Sequence, residues 1–165
     1  MRRSDREVTE IPEILKIIEK CEVCHLALSD NNIPYIIPMN FGYEYTQGRL
    51  TLYFHGANEG KKHDIIAKNS AACFEMDCSH KLIKAGKASE YTMGYESVIG
   101  NGIISYIIEK DEKIKACDLI MKQYEKEREF DFQENILESV TLFKLSVSEL
   151  TGKRNLPVKR GSDIS

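Results

Sequence analysis

The chain has 165 residues, 42% hydrophobic and 30% charged, with a formal net charge of −3. That is the size of one domain with an ordinary globular composition, and the charge balance carries no signature for nucleic acid or a membrane surface. There is no apolar run of membrane-spanning length and no apolar stretch behind the charged start MRRSDREVTE, so the expected compartment is the cytoplasm, with the five cysteines as free thiols.

Residues 1–8 are polar and read as an extended N-terminal arm. Thr9 and Pro12 mark a helix start, and Ile11, Ile14, Leu15 and Ile18 form one apolar stripe as far as Lys20. The period then changes to two. Cys24, Leu26 and Leu28 alternate with polar neighbours, and Asp30-Asn31-Asn32 makes a turn. A second strand runs through PYIIPMNFGYEY to a turn at Gln47-Gly48. The third, RLTLYFHG, puts Leu50, Leu52 and Phe54 on one face and Thr51, Tyr53 and His55 on the other.

The corner GANEG leads into a basic helix, KKHDIIAKN, and SAACFEMD is the next strand. Residues 95–108 read as a long strand bent or bulged at Gly100 and Gly102. Residues 111–124 read as a helix with Ile114, Cys117, Met121 and Tyr124 inward. SVTLFKLSV is the last strand, and residues 156–165 read as a disordered tail. Six strands interrupted by short helices fit a mainly β (α+β) closed barrel over residues 1–155 better than a parallel α/β sheet.

Several motifs offer chemistry. Cys21-Glu22-Val23-Cys24-His25 matches the spacing of c-type haem attachment, but it opens a strand, where positions three apart face opposite ways. Zinc held by Cys21, Cys24, Cys73, Cys78, His25 or His80 would need two ligand pairs on turns, and Cys73 lies inside an apolar strand. No metal site is therefore expected. Gly56-Ala57-Asn58-Glu59-Gly60-Lys61-Lys62 has three residues between its glycines, where an ATP-binding phosphate loop has four, and Lys62 replaces the magnesium-holding hydroxyl. The anion-binding logic survives: glycines admit backbone amides, a helix start adds positive potential, and lysines add charge. His55 ends the strand just before this corner, and Asn40 stands among Pro38, Met39 and Phe41. A polar-tipped apolar wall beside a phosphate cradle suits flavin mononucleotide (FMN).

The blocks YIIPMNFGY, LYFHGANEGKKHDIIAKNSAACFEMD, YESVIGNGIISYI and SVSELTGKRNL, in this order, resemble the nitroimidazole-resistance (Nim) proteins of the pyridoxamine-phosphate-oxidase-like FMN-binding split-barrel superfamily, over about residues 1–155. The resemblance implies a six-stranded split β-barrel and a homodimer with flavin at the interface. It implies that Pro38, Met39, Asn40 and Phe41 line the isoalloxazine ring, and that His55, Gly56 and Ala57 lie near the ring and ribityl chain. Gly60, Lys61 and Lys62 would take the phosphate, Glu96, Ser97 and Val98 would approach from the partner chain, and Lys153 and Arg154 would close the site. His55 matches a histidine beside the flavin in that family. The chain lacks the arginine-rich substrate pocket and the C-terminal end of true pyridoxamine-phosphate oxidases.

The expected function is an FMN-dependent oxidoreductase passing electrons to a small planar acceptor such as a 5-nitroimidazole, with His55 as its catalytic residue. No nicotinamide-binding glycine motif is visible. A non-catalytic flavin carrier or sensor and a haem-binding relative remain as alternatives.

Overall fold

In the computed structural model, which describes residues 3–156, a short 3-10 turn at Ser4–Arg6 leads into β1 (Glu7–Val8) and α1 (Ile11–Lys20). Two hairpins follow, β2 (Cys24–Asp30) with β3 (Ile33–Met39), then β4 (Gly42–Thr46) with β5 (Arg49–Gly56). Both turns hold two residues at positive φ: Asn31 and Asn32 at 51° and 67°, Gln47 and Gly48 at 52° and 77°. Two positive φ values give the turn the twist of the strands it joins. Next come α2 (Lys61–Lys68), β6 (Ala71–Ile83), β7 (Thr92–Tyr106), α3 (Lys110–Tyr124), α4 (Glu134–Ser139) and β8 (Thr141–Asn155).

The strands form one antiparallel sheet in the order β3-β2-β6-β7-β8-β5-β4, with β1 pairing β8. Its two outermost strands are consecutive in the chain, joined by Asn40 and Phe41 alone. Laid flat, seven strands about 4.8 Å apart would separate those edges by about 29 Å, yet the linker from residue 39 to 42 reaches about 11 Å at most. The sheet must curl until its edges meet. The hydrogen-bonded ladder itself stays open there, and the barrel is split.

Inside the curl lie Leu26, Leu52, Phe54, Phe74, Met76, Val98, Phe143 and Leu145, with Ile14, Ile17 and Ile18 of α1. Burying each such side chain is worth about 1.5–3 kcal/mol. A second, smaller cluster forms on the outer face of β5, where α3 covers Tyr53 and Leu142 with Ala116 and Ile120, joined by Ile107.

The mainly β split barrel is as expected, with eight strands rather than six. The predicted second strand breaks at Asn40-Phe41 into β3 and β4, and the N-terminal arm adds β1. The last strand continues through the TGKR segment to Asn155 instead of ending before it. On α3 the inward residues are Ala116 and Ile120, with Cys117, as expected, partly buried against the same cluster, while Ile114 and Tyr124 are exposed, because the helix packs through a small residue that lets it approach β4 and β5 closely. The bend expected at Gly100 and Gly102 is a bulge between Asn101 and Gly102. The expected tail at 157–165 falls outside the described residues. Among those residues no helix is long and apolar enough to cross a membrane.

Candidate functional site

Alternation along β5 sends Leu52 and Phe54 into the barrel and leaves His55 exposed on the outer face, paired across the ladder with Leu142. Gly56 ends the strand, and its missing side chain decides what lies above it. A Cβ there would stand 2.8 Å from Lys62 Cε and 3.1 Å from Lys62 Nζ. Lys62 folds back across the glycine, half-buried and without a carboxylate partner among the described residues. Gly60, at φ 129°, supplies the left-handed residue that starts α2.

The two lysine side chains turn different ways. Lys61 Nζ lies 3.7 Å from Asp30 Oδ2 and 5.0 Å from the centre of the Tyr35 ring, turned toward the β2–β3 hairpin. His63, which sequence reading missed, fixes the corner. One ring nitrogen, Nε2, lies 2.8 Å from the Ala57 carbonyl and the other, Nδ1, lies 2.8 Å from the Tyr106 hydroxyl. A carbonyl only accepts, so Nε2 donates to it, and in the neutral ring Nδ1 accepts from Tyr106. Burial, with a smaller contribution from Asp64, raises the Tyr106 pKa and keeps that donor protonated. Asn58 accepts from the Thr141 hydroxyl at 2.8 Å, tying the same corner to β8. The position of His63, two residues into a helix, gave no signal of this reach across the corner.

Pro38 and Met39 end β3, Pro38 exposed and Met39 half-buried, while Asn40 is exposed and Phe41 fully buried. Phe41 donates its N–H to the Tyr124 hydroxyl at 3.0 Å, and that hydroxyl donates to the Glu22 carbonyl at 2.9 Å. Gln123 Nε2 donates to the Ile18, Glu19 and Cys21 carbonyls at the end of α1, so α3 caps α1 and holds the barrel joint from outside. Asn40 borders a cavity of about 450 Å³ with Lys20, Glu22 and Tyr124.

A third group sits where β7 pairs the far end of β8. Glu96 is 1% exposed and accepts from Lys20 at 2.7 Å, Ser79 at 2.8 Å and Arg154 at 2.6 Å, with Glu13 taking another Arg154 donor at 3.1 Å. Val98 is fully buried in the core. Glu96, Val98 and Arg154 therefore serve this chain's interior, while the neighbouring pair Ser97 and Lys153 has the opposite facing, Lys153 Nζ lying 5.6 Å from the centre of the Tyr95 ring.

The expected site residues thus fall into separate groups. His55 faces Leu142 near the start of β8, and Ser97 faces Lys153 near its end. Eleven residues separate Leu142 from Lys153, about 36 Å measured along the strand. One chain does not bring the lysine corner and the Ser97 pair together.

The family model for pyridoxamine 5'-phosphate oxidase matches residues 10–154. Among solved structures, the chain is similar to a candidate 5-nitroimidazole antibiotic resistance protein from Bacteroides thetaiotaomicron, at 31% identity over 89% of this chain and 85% of that one, with a TM-score of 0.78. A flavocytochrome from Azotobacter vinelandii is 17% identical over 99% and 75% of the two chains, TM-score 0.77. An FAD- and haem-binding protein from Mycobacterium smegmatis is 16% identical over 96% and 77%, TM-score 0.79. These last two share the fold. The curated proteins contain no match.

Proposed function

On the footing that the chain belongs to the pyridoxamine 5'-phosphate oxidase family, we propose that it is a cytoplasmic FMN-dependent oxidoreductase, that a homodimer holds the flavin at its interface, and that the electron acceptor is a small planar molecule such as a 5-nitroimidazole. The observation that carries this reading is Lys62. A half-buried ammonium without a carboxylate partner among the described residues, folded over a glycine at a helix start, is a seat for an anion. The likeness to the Bacteroides protein supports the acceptor class.

FMN, when bound, supplies the redox chemistry. Lys62, seated over Gly56, and the first turn of α2 would hold its phosphate. Pro38 and Met39 would line the ring with Asn40 as a polar tip, while Phe41, fully buried in the core, backs them from inside. His55, exposed and unpartnered among the described residues, is free to donate a proton from its imidazole to the acceptor.

A second copy has a surface to meet. Ile36, Ala27 and Cys73 form one row across β3, β2 and β6, with exposed Ile99 and Ile103 nearby on β7. Exposed apolar patches of this kind mark association surfaces, and two-fold pairing is the commonest closed arrangement. Ser97 and Lys153, too far along β8 to reach their own lysine corner, are then contributed by the partner copy.

Absorption spectroscopy of the purified protein tests the reading. The expected result is an oxidised-flavin spectrum from a dimer, bleached by reductant and restored by a 5-nitroimidazole. A colourless protein that also refuses added FMN overturns it. Stable flavin that cannot pass electrons on favours a carrier, and a Soret band on adding haem favours a haem protein.

A further inference from the structure

Four side chains left unused by the proposed function gather on the outer face of the sheet where β2 meets β6. His25 and Glu75 are cross-strand partners, with His25 Nδ1 3.1 Å from Glu75 Oε2. Asp77 follows two residues along β6 and so shares that face. One ligand atom from each of His25, Glu75 and Asp77 lies within 4.8 Å of the other two. His80 arrives by a detour in the strand: the β6–β7 register shifts between Cys78 and Lys81, and Ser79 takes φ 60°. That detour brings His80 Nε2 to 2.7 Å from Asp77 Oδ2. Positive φ at a non-glycine residue costs energy and persists only where the surroundings enforce it, and here the Ser79 hydroxyl is anchored on buried Glu96 at 2.8 Å. His25, Asp77 and His80 border a cavity of about 550 Å³, completed by Lys20, Glu22, Val23, Pro38, Cys78 and Ser79.

We infer that His25, Glu75 and Asp77 form a binding site for a divalent transition cation of the zinc class, with His80 donating to Asp77 to orient it. Imidazole and carboxylate together select such cations over calcium or magnesium. In a tetrahedral zinc site nitrogen and oxygen ligands stand about 3.4 Å apart, so side-chain rotation must draw the three ligand atoms inward from a spread of up to 4.8 Å. Two neighbouring carboxylates also repel until a cation lies between them. Carboxylates that ligate a metal are themselves held by hydrogen bonds from outer groups, the part His80 takes toward Asp77. Cys24 points into the barrel from the residue next to His25, so this donor set is not the cysteine set that the sequence spacing argued against. None of the four donors is among the residues assigned to the flavin, although Pro38 lines the same cavity.

Calorimetric titration of the chelator-stripped full chain with zinc chloride tests this, together with the visible spectrum of the cobalt(II)-loaded protein. Zinc should bind at one saturable site, and cobalt should show no thiolate charge-transfer band. His25→Ala and Asp77→Asn should each weaken zinc about a hundredfold, and His80→Ala about tenfold. Should a variant fail to fold by circular dichroism, zinc protection of His25 against diethyl pyrocarbonate in the unaltered protein replaces it. Absence of saturable binding, affinity unchanged in the His25→Ala/Asp77→Asn double variant, lack of protection, or a thiolate band in the cobalt spectrum would each overturn the proposal.

Discussion

Lys62 and the absent side chain of Gly56 share one space: a Cβ on Gly56 would come within 2.8 Å of Lys62 Cε. Its neighbour Lys61 is engaged elsewhere, with Asp30 and the Tyr35 ring. Lys62→Ala should therefore weaken FMN roughly ten- to hundredfold, the worth of one charge-assisted hydrogen bond, and leave riboflavin affinity nearly unchanged. Lys61→Ala should change either ligand less than about threefold, as expected for a surface ion pair. Equilibrium dialysis with both ligands separates the two lysines, and equal losses would move the phosphate away from this corner.

His55 is exposed and contributes to neither core cluster. His55→Ala should keep the melting temperature and the flavin, yet slow reduction of a nitroaromatic by the reduced protein about a hundredfold. Single-turnover mixing measures this, and an unchanged rate would limit His55 to a positioning role.

Glu96 links acid stability to the barrel. Burial alone would raise its carboxyl pKa, but donors from Lys20, Ser79 and Arg154 outweigh burial and hold it below the ordinary 4.5. A depressed folded-state pKa stabilises the fold above the ordinary value, and that contribution is lost as pH falls through the folded one. Stability should thus decline below about pH 4.5, and Glu96→Gln should flatten that decline. Glu96→Ala leaves Arg154 with Glu13 alone and Lys20 to solvent, and should cost about 1–3 kcal/mol in urea unfolding. A cost below about 1 kcal/mol would mean that the network carries little of the fold's stability.

Gly42 is where α3 meets β4. A Cβ there would lie 2.4 Å from Ile120 N and 2.4 Å from the Leu119 carbonyl carbon, backbone atoms that cannot swing aside. Gly42→Ala should destabilise by about 1–3 kcal/mol, whereas Gly86→Ala, which meets nothing within 4 Å, should stay within about 0.5 kcal/mol. Thermal melts of the two variants compare them directly.

What the sequence made legible was local. The α1 stripe, the turns at Asp30-Asn31-Asn32 and Gln47-Gly48 and the alternation that leaves His55 outside rest on neighbours a few positions apart; the structure keeps them, adding fully buried Ile17 to the stripe and giving Asp30 to β2. What it hid depends on distant partners. The break at Asn40-Phe41 reads as continuous strand until Tyr124, 83 residues on, takes up the Phe41 amide. Glu96, which the resemblance sets toward a partner's flavin, is taken up in its own chain by Lys20, Ser79 and Arg154. Lys61 and Lys62 read as a pair, and only the position of Asp30 parts them. His25 and His80 read as zinc ligands only in company with cysteines; Glu75 and Asp77 gave no signal, because cross-strand register, not spacing, joins His25 to Glu75.

β8 lies in the middle of the sheet although it comes last among the strands. Without it the ladder falls into two pieces, β3-β2-β6-β7 and β5-β4, which share no strand pairing. A chain emerging from the ribosome therefore carries two unfinished sheets, each with a bare edge, until residues 141–155 are made. Those edges, on β5 and β7, are templates for mispairing with other chains. A premature stop anywhere before Thr141 should yield aggregate rather than a smaller folded protein.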